Sequence, residues 1–130
     1  MPNASELEKR FRKLLTDRGL KFICNDNTLL GTPDIVFPRE SLIVFIHGCF
    51  WHHHQNCPGN NYPVTNVSYW LNQANAQVIQ DKNVNTELQR QGWKVLIFWV
   101  CEVNSTPDSL IDKLIKELDS VCLLKLKSRI

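Results

Sequence analysis

The sequence predicts an α/β fold, a three-layer α/β/α sandwich built around a mixed sheet. Two observations carry this. LIVFIH (42–47) and KVLIFWV (94–100) are short runs apolar on both faces, as strands covered by helices on both sides must be. Between them lies a helical segment of about 25 residues, long enough to carry the chain over the sheet and return it parallel, as a right-handed βαβ unit. With 130 residues, 43% hydrophobic and 22% charged, the chain is expected to form one domain over 1–130 with its own core.

The elements follow in order. Residues 5–18 read as a helix, because Leu7, Phe11, Leu14 and Leu15 repeat at helical spacing. Ser5 and Glu8 fit a capping box, and Gly19 stops the helix. Lys9, Arg10, Arg12 and Lys13 cover the other face, which reads as a solvated surface. A strand is expected over 20–24. LLGTPD (29–34) is turn chemistry, with Pro33 biasing Thr32 toward extended backbone. DIVF (34–37) is a short strand, paired as a hairpin with 42–47. A long loop spans 48–66. The helix of 67–91 ends at Gly92 and places Leu71, Ala74, Val78 and Leu88 on one stripe together with Asp81. After the strand of 94–100, Thr106 caps a last helix with Pro107 at its first position. Leu110, Ile111, Leu114, Ile115 and Leu118 form its core face. The tail LLKLKSRI reads equally as a frayed end or an edge strand.

No apolar signal-peptide core opens the chain and no run approaches a membrane span, so a cytoplasmic address is expected. A net charge of +2 permits a nucleic-acid partner without demanding one. Five cysteines in a reducing compartment favour metal ligation or buried thiols over disulfides. Cys24 and Cys122 lie in apolar runs and read as buried thiols.

The chemistry concentrates in HGCFWHHHQNC (47–57), which holds all four histidines and two cysteines. Zinc takes four ligands and prefers thiolate and imidazole. Cys49, Cys57, one or two of His52 to His54, and Cys101 at the end of the parallel strand can supply them. A closed Cys3His site is structural and would brace the loop. The spare histidines then read either as a solvated run or as acid–base groups. Asp34 reads as a turn-capping aspartate or as a strand-borne Mg2+ ligand facing His47, with a water of the ion or one activated by histidine attacking a phosphodiester. Asp81, a carboxylate on an apolar stripe, reads as a boundary residue that reaches solvent or as a paired group, with a loop histidine the natural partner. Phe50 and Trp51 read as core residues or, next to a histidine run in a polar loop, as groups suited to insertion between base pairs.

ELEKRF, GTPDIVF, VFIHGCFWHHH with the later Cys57, YWL followed by Asp81, and GWKVLIFWVC together resemble the very short patch repair (Vsr) endonucleases. These are DNA mismatch nicking enzymes of restriction-endonuclease-like fold. The resemblance covers residue 6 to about 102. It implies Mg2+ on Asp34 and on the main-chain carbonyl of Ile46, a position where the family commonly has Thr. It implies His52 as general base with Asp81 as its partner, His47 beside the scissile phosphate, and Glu8 as a supporting acid. It implies structural zinc on Cys49, His54, Cys57 and Cys101, and Phe50 and Trp51 as a wedge beside a T·G mismatch. A monomer acting on double-stranded DNA, cutting 5′ to the mismatched thymine and linked functionally to a cytosine methyltransferase, is the implied setting. Gln73, Gln77 and Gln80 stand where the family carries Lys, Asn and Arg, and Val100 replaces an acidic residue. The lost positive charge weakens phosphate contacts. Two rival readings follow: a catalytically weakened DNA-binding relative, and a zinc hydrolase using the histidine run.

Overall fold

Helix α1 (Ala4–Asp17) closes as the sequence requires. Gly19 takes a φ of +80°. Its N–H donates to the Thr16 carbonyl at 2.9 Å, and the Leu20 N–H donates to that of Leu15 at 3.1 Å, the paired bonds of a Schellman end. The computed structural model describes residues 4–49 and 65–127, with side chains described over 6–49 and 65–121. The helix already includes Ser5, so Ser5 lies in its first turn and not at the cap, and the capping box with Glu8 is not the one expected.

Four strands follow: β1 (Ile23–Cys24), β2 (Ile35–Phe37), β3 (Leu42–His47) and β4 (Lys94–Trp99). They line up in chain order. β1 and β2, and β2 and β3, pair antiparallel, whereas β3 and β4 run parallel, in register from Leu42 with Lys94 to His47 with Trp99. The crossover between them is helix α2 (Val67–Arg90). The sheet is therefore mixed and the fold class is α/β, as its two apolar runs predicted. α2 ends on a second Schellman pair, with Gly92 at φ +99° and Trp93 N–H donating to the Leu88 carbonyl at 3.0 Å.

Strand periodicity splits the core in two. Leu42, Val44 and Ile46 of β3 point to one face with Ile35, Phe37 and Phe98. There they meet Leu7, Phe11 and Leu15 of α1 and Leu110, Ile111, Leu114 and Leu118 of helix α4 (Pro107–Lys127). Ile43 and Phe45 point to the opposite face with Val36, Val95 and Ile97, where Leu88 and Val84 of α2 cover them. Each fully buried Leu, Ile or Phe contributes about 1.5–3 kcal/mol, so the two apolar layers hold the sandwich together.

Several expectations are corrected. β1 holds only two residues, because Leu20 and Phe22 turn toward the α1 side of the core and Asn25 breaks the strand at φ +49°. Cys24, on that edge strand, is exposed and not a buried thiol. β4 stops at Trp99, and a short helix α3 (Val100–Ser105) intervenes. Six residues are too few for a periodic signature, but Glu102 accepts the Trp99 N–H at 3.1 Å and starts that helix. Thr106 sits just before Pro107 as expected, yet its hydroxyl donates back to the Glu102 carbonyl at 3.2 Å. The tail over 123–127 continues α4 and is neither frayed nor a strand. Leu71 and Val78, placed on the buried stripe of α2, are each 41% exposed. Thr32, expected to be extended, has φ +47°. Its neighbours decide this: Thr32 N–H closes a turn onto Leu29, while the Pro33 and Asp34 carbonyls accept from Asp26 and Asn25. A β-branched residue held there stores roughly 1–3 kcal/mol of strain.

Candidate active site

The parity that builds the core also builds a cleft. His47 is the last residue of β3 and shares the face of Ile43 and Phe45, toward α2. It is buried at 7% exposure, the one buried polar residue among the described residues. The Trp99 ring meets its imidazole edge-on at 5.3 Å, and Phe45 lies 5.9 Å away. Asp81, at the middle of α2, brings Oδ2 to 3.8 Å from His47 Nδ1. At this range the contact is electrostatic, beyond hydrogen-bond length.

Asp34 precedes β2 and has the same parity as Val36, so it too faces α2. Its Oδ2 accepts the Ile46 N–H at 2.6 Å. The side chain thereby extends the β2–β3 ladder past its last backbone pair and is fixed at the cleft mouth. In an extended strand the N–H and C=O of one residue leave on the same edge, so the Ile46 carbonyl faces the Asp34 side. Asp34, His47 and Asp81 line one cleft of roughly 240 Å³ with Gln77, Gln80 and Asn85. The buried Oδ1 of Asn85 has no hydrogen-bond partner among the described residues.

Glu8 comes in from α1. Burial first, and then the negative charge of Asp34, push its carboxyl above the ordinary 4.5, while Arg12 one turn on pulls it back. A carboxyl raised in the folded state holds its proton more tightly there than in the unfolded chain. Its favourable contribution is present below 4.5 and is lost as pH rises through the raised value. Glu8→Gln is therefore expected to raise Tm near neutral pH without added divalent metal, with the gain vanishing at about pH 4. Thermal melts across that range, wild type against variant, check it.

Gly31 forms the cleft wall. The turn closed by Leu29 and Thr32 places it third, where a type II turn needs positive φ, and it has φ +78°. A Cβ there would lie 2.8 Å from Val84 Cγ1 and 3.3 Å from two ring atoms of Phe45. Gly31→Ala is expected to destabilise the fold by about 2–3 kcal/mol, strain and overpacking together. Urea unfolding measures this.

Of the proposed zinc ligands, Cys49 is buried and Cys101 half-buried. Each lies two residues past the last pair of the parallel β3–β4 ladder, His47 with Trp99, and Cys101 is already in the first turn of α3. His54 and Cys57 lie outside the described residues, as do Phe50, Trp51, His52 and His53. Asp81, expected to meet a loop histidine, has His47 as its histidine among the described residues. The sequence reading overlooked Gln77, Asn85 and Gly31 as parts of the cleft. Gln77 was within reach of it, lying one helical turn before Asp81 on the same face. No described helix is long and apolar enough to cross a membrane.

A family profile described as DNA mismatch endonuclease Vsr matches residues 3–58. DNA mismatch endonuclease Vsr of Escherichia coli K12 is 39% identical over 111 residues, 85% of this chain and 70% of that protein. The type II nicking enzyme V.XorIIP of Xanthomonas oryzae pv. oryzae is 39% identical over 97 residues, 75% of this chain and 71% of its own length. The type II nicking enzyme V.HpaIIP of Haemophilus parainfluenzae is 30% identical over 112 residues, 85% and 79% of the two chains. With a mixed α/β sheet, an acidic cleft at its edge and similarity over most of its length, this chain belongs to the Vsr family of DNA mismatch endonucleases.

Proposed function

We propose that this protein is a Mg2+-dependent DNA endonuclease that nicks one strand of a duplex, 5′ to the thymine of a T·G mismatch. The observation that carries the reading is the carboxylate of Asp34, pinned by the Ile46 N–H at a cleft it shares with His47 and Asp81. Asp34 and the carbonyl of Ile46 would hold the magnesium. All are oxygen donors, as that ion prefers, and it would supply Lewis-acid stabilisation of charge on the phosphate. His47, its Nδ1 side turned to Asp81, is the proposed contact to a phosphate oxygen. His52 is the proposed general base for the attacking water. Glu8, its carboxyl raised by burial and by the charge of Asp34, is proposed as a supporting acidic group. Cys49, His54, Cys57 and Cys101 are proposed to hold a structural zinc; Cys49 and Cys101 each follow the end of one of the paired strands β3 and β4. Phe50 and Trp51 are the proposed wedge at the mismatch.

One observation favours a second reading. Gln73 and Gln80 are exposed on α2 and uncharged, and α2 therefore offers DNA few positive charges. This fits a relative that binds duplexes and cuts them poorly. Incubation with labelled duplexes carrying each mismatch, with and without Mg2+, separates the two. Single-strand cleavage only with Mg2+, strongest at T·G, supports the nuclease. Binding without cleavage of any duplex overturns it in favour of the second.

A further inference from the structure

We propose that Lys9 and Arg12 of α1 form a phosphate track that seats the DNA backbone beside the Asp34 cleft. The inference rests on duplex DNA being the substrate. α1 buries Leu7, Phe11 and Leu15 against the sheet, and helical spacing then sets where its basic residues stand. Lys9 and Arg12, three residues apart, share one stripe with Thr16. Arg10 and Lys13 share another with Glu6 and Asp17, each with an acid four residues away. The stripes also face different neighbours. Arg10 lines a groove with Val103, Asn104 and Pro107, on the side of α3. Arg12 lies on the opposite flank with Glu8, one turn before it, and Glu8 is within electrostatic reach of both Arg12 and Asp34. Lys9 is exposed and Arg12 half-buried.

Position along the sheet matters as much as the face. The Phe11 ring meets that of Phe98 at 5.9 Å, and Phe98 pairs with Ile46. This is the end of the parallel strands where the Ile46 N–H holds Asp34 and where His47 completes the cleft. The chain leaving α1 brings Phe22 against Phe37, beside Leu42 at the opposite end of β3. The first half of α1 therefore lies at the cleft end of the sheet. Asp34 and Asp81 make the cleft acidic, which repels a phosphate, so cations must flank it. α2 supplies Lys82 and Arg90, and Arg90 is held by Glu87 at 2.6 Å. The Lys9 stripe supplies two more on the Asp34 side. The ammonium of Lys9 meets phosphate as a point charge, and the Arg12 guanidinium can offer two parallel N–H donors. Neither contact reads a base, so the track sets affinity and placement and leaves mismatch preference untouched.

Lys9→Gln with Arg12→Gln removes the two charges of the track. Arg10→Gln with Lys13→Gln removes two charges from the same helix, off the track. The two proteins have the same net charge and differ only in where it was lost. Binding of matched and T·G duplexes by the full chain is followed by fluorescence anisotropy over a NaCl series, with no Mg2+ added. The slope of log affinity against log salt is expected to fall by about two for the track variant and by about one for Lys9→Gln alone, equally on both duplexes. Arg10→Gln with Lys13→Gln should keep the wild-type slope, as should Lys9→Arg with Arg12→Lys, which retains both charges. Lys9 is exposed, so its single variant gives a reading even if loss of the half-buried Arg12 disturbs the fold. An unchanged slope for Lys9→Gln overturns the proposal. So does an equal fall for Arg10→Gln with Lys13→Gln, a fall confined to the T·G duplex, or wild-type binding that ignores salt. The nuclease reading is judged separately, by nicking with Mg2+. A wild type that binds but never nicks fails that reading, and the slopes still decide the role of α1.

Discussion

Asp34→Asn is expected to remove nicking by about a thousandfold or more while leaving the fold intact. In the proposed mechanism a charged oxygen at this point supplies several kcal/mol of transition-state stabilisation, and each 1.36 kcal/mol is tenfold in rate. The structure makes asparagine the informative substitution. Its side-chain oxygen can still accept the Ile46 N–H that Asp34 accepts at 2.6 Å, so only charge is lost. Asp34→Ala removes the acceptor as well. The Ile46 N–H, at a buried residue, is then left without its partner, which costs roughly 1–3 kcal/mol of stability. The pair of variants thus separates two roles of one carboxylate. Both should be inactive in the mismatch-nicking assay, and only alanine should shift the urea midpoint. An Asp34→Asn protein that nicks within about tenfold of wild type would show that no metal acts through this oxygen.

Phe11→Ala is expected to have the largest effect on stability, about 3–5 kcal/mol. Phe11 is 1% exposed and lies where α1 meets the sheet. Its ring stands edge-on to Phe98 of β4, with centroids 5.9 Å apart. Truncation loses the transfer energy of the ring, leaves a cavity the rigid sheet cannot close, and removes the aromatic contact. α1 also carries Glu8, so the activity of any surviving folded fraction should fall as well. Chemical denaturation with a two-state fit checks the first, and specific activity per folded molecule the second. A loss under about 1 kcal/mol would mean that α1 is not integral to the core.

How far the sequence alone reached depends on the range of the forces involved. The Schellman ends at Gly19 and Gly92, the apolar runs of β3 and β4, and the core stripe of α4 were all legible, because each rests on neighbours within one or two turns of chain. The mixed sheet followed from them, since a buried strand, a long helix and a second buried strand leave few ways to connect. Asp34, His47 and Asp81 were named as candidates from residue type, their places in the local pattern and the family resemblance. What places them in one cleft is tertiary. The Asp34 carboxylate reaches Ile46 twelve positions on only because β2 and β3 pair in one register. A slip of one residue would turn His47 away from α2. The stripe of α2 was misread because a rule that seeks apolar residues expects an apolar surface. The surface it meets is partly a cleft wall, where Gln77, Asp81 and Asn85 take positions that a core helix would give to leucine. Thr32 was misread because three hydrogen bonds from its surroundings outweigh a local backbone preference. Local pattern determined which elements form and which residues could do chemistry. Strand register and the crossing of α2 over the sheet decided which of those residues meet, because such contacts depend on chain segments far apart in sequence that no short window contains.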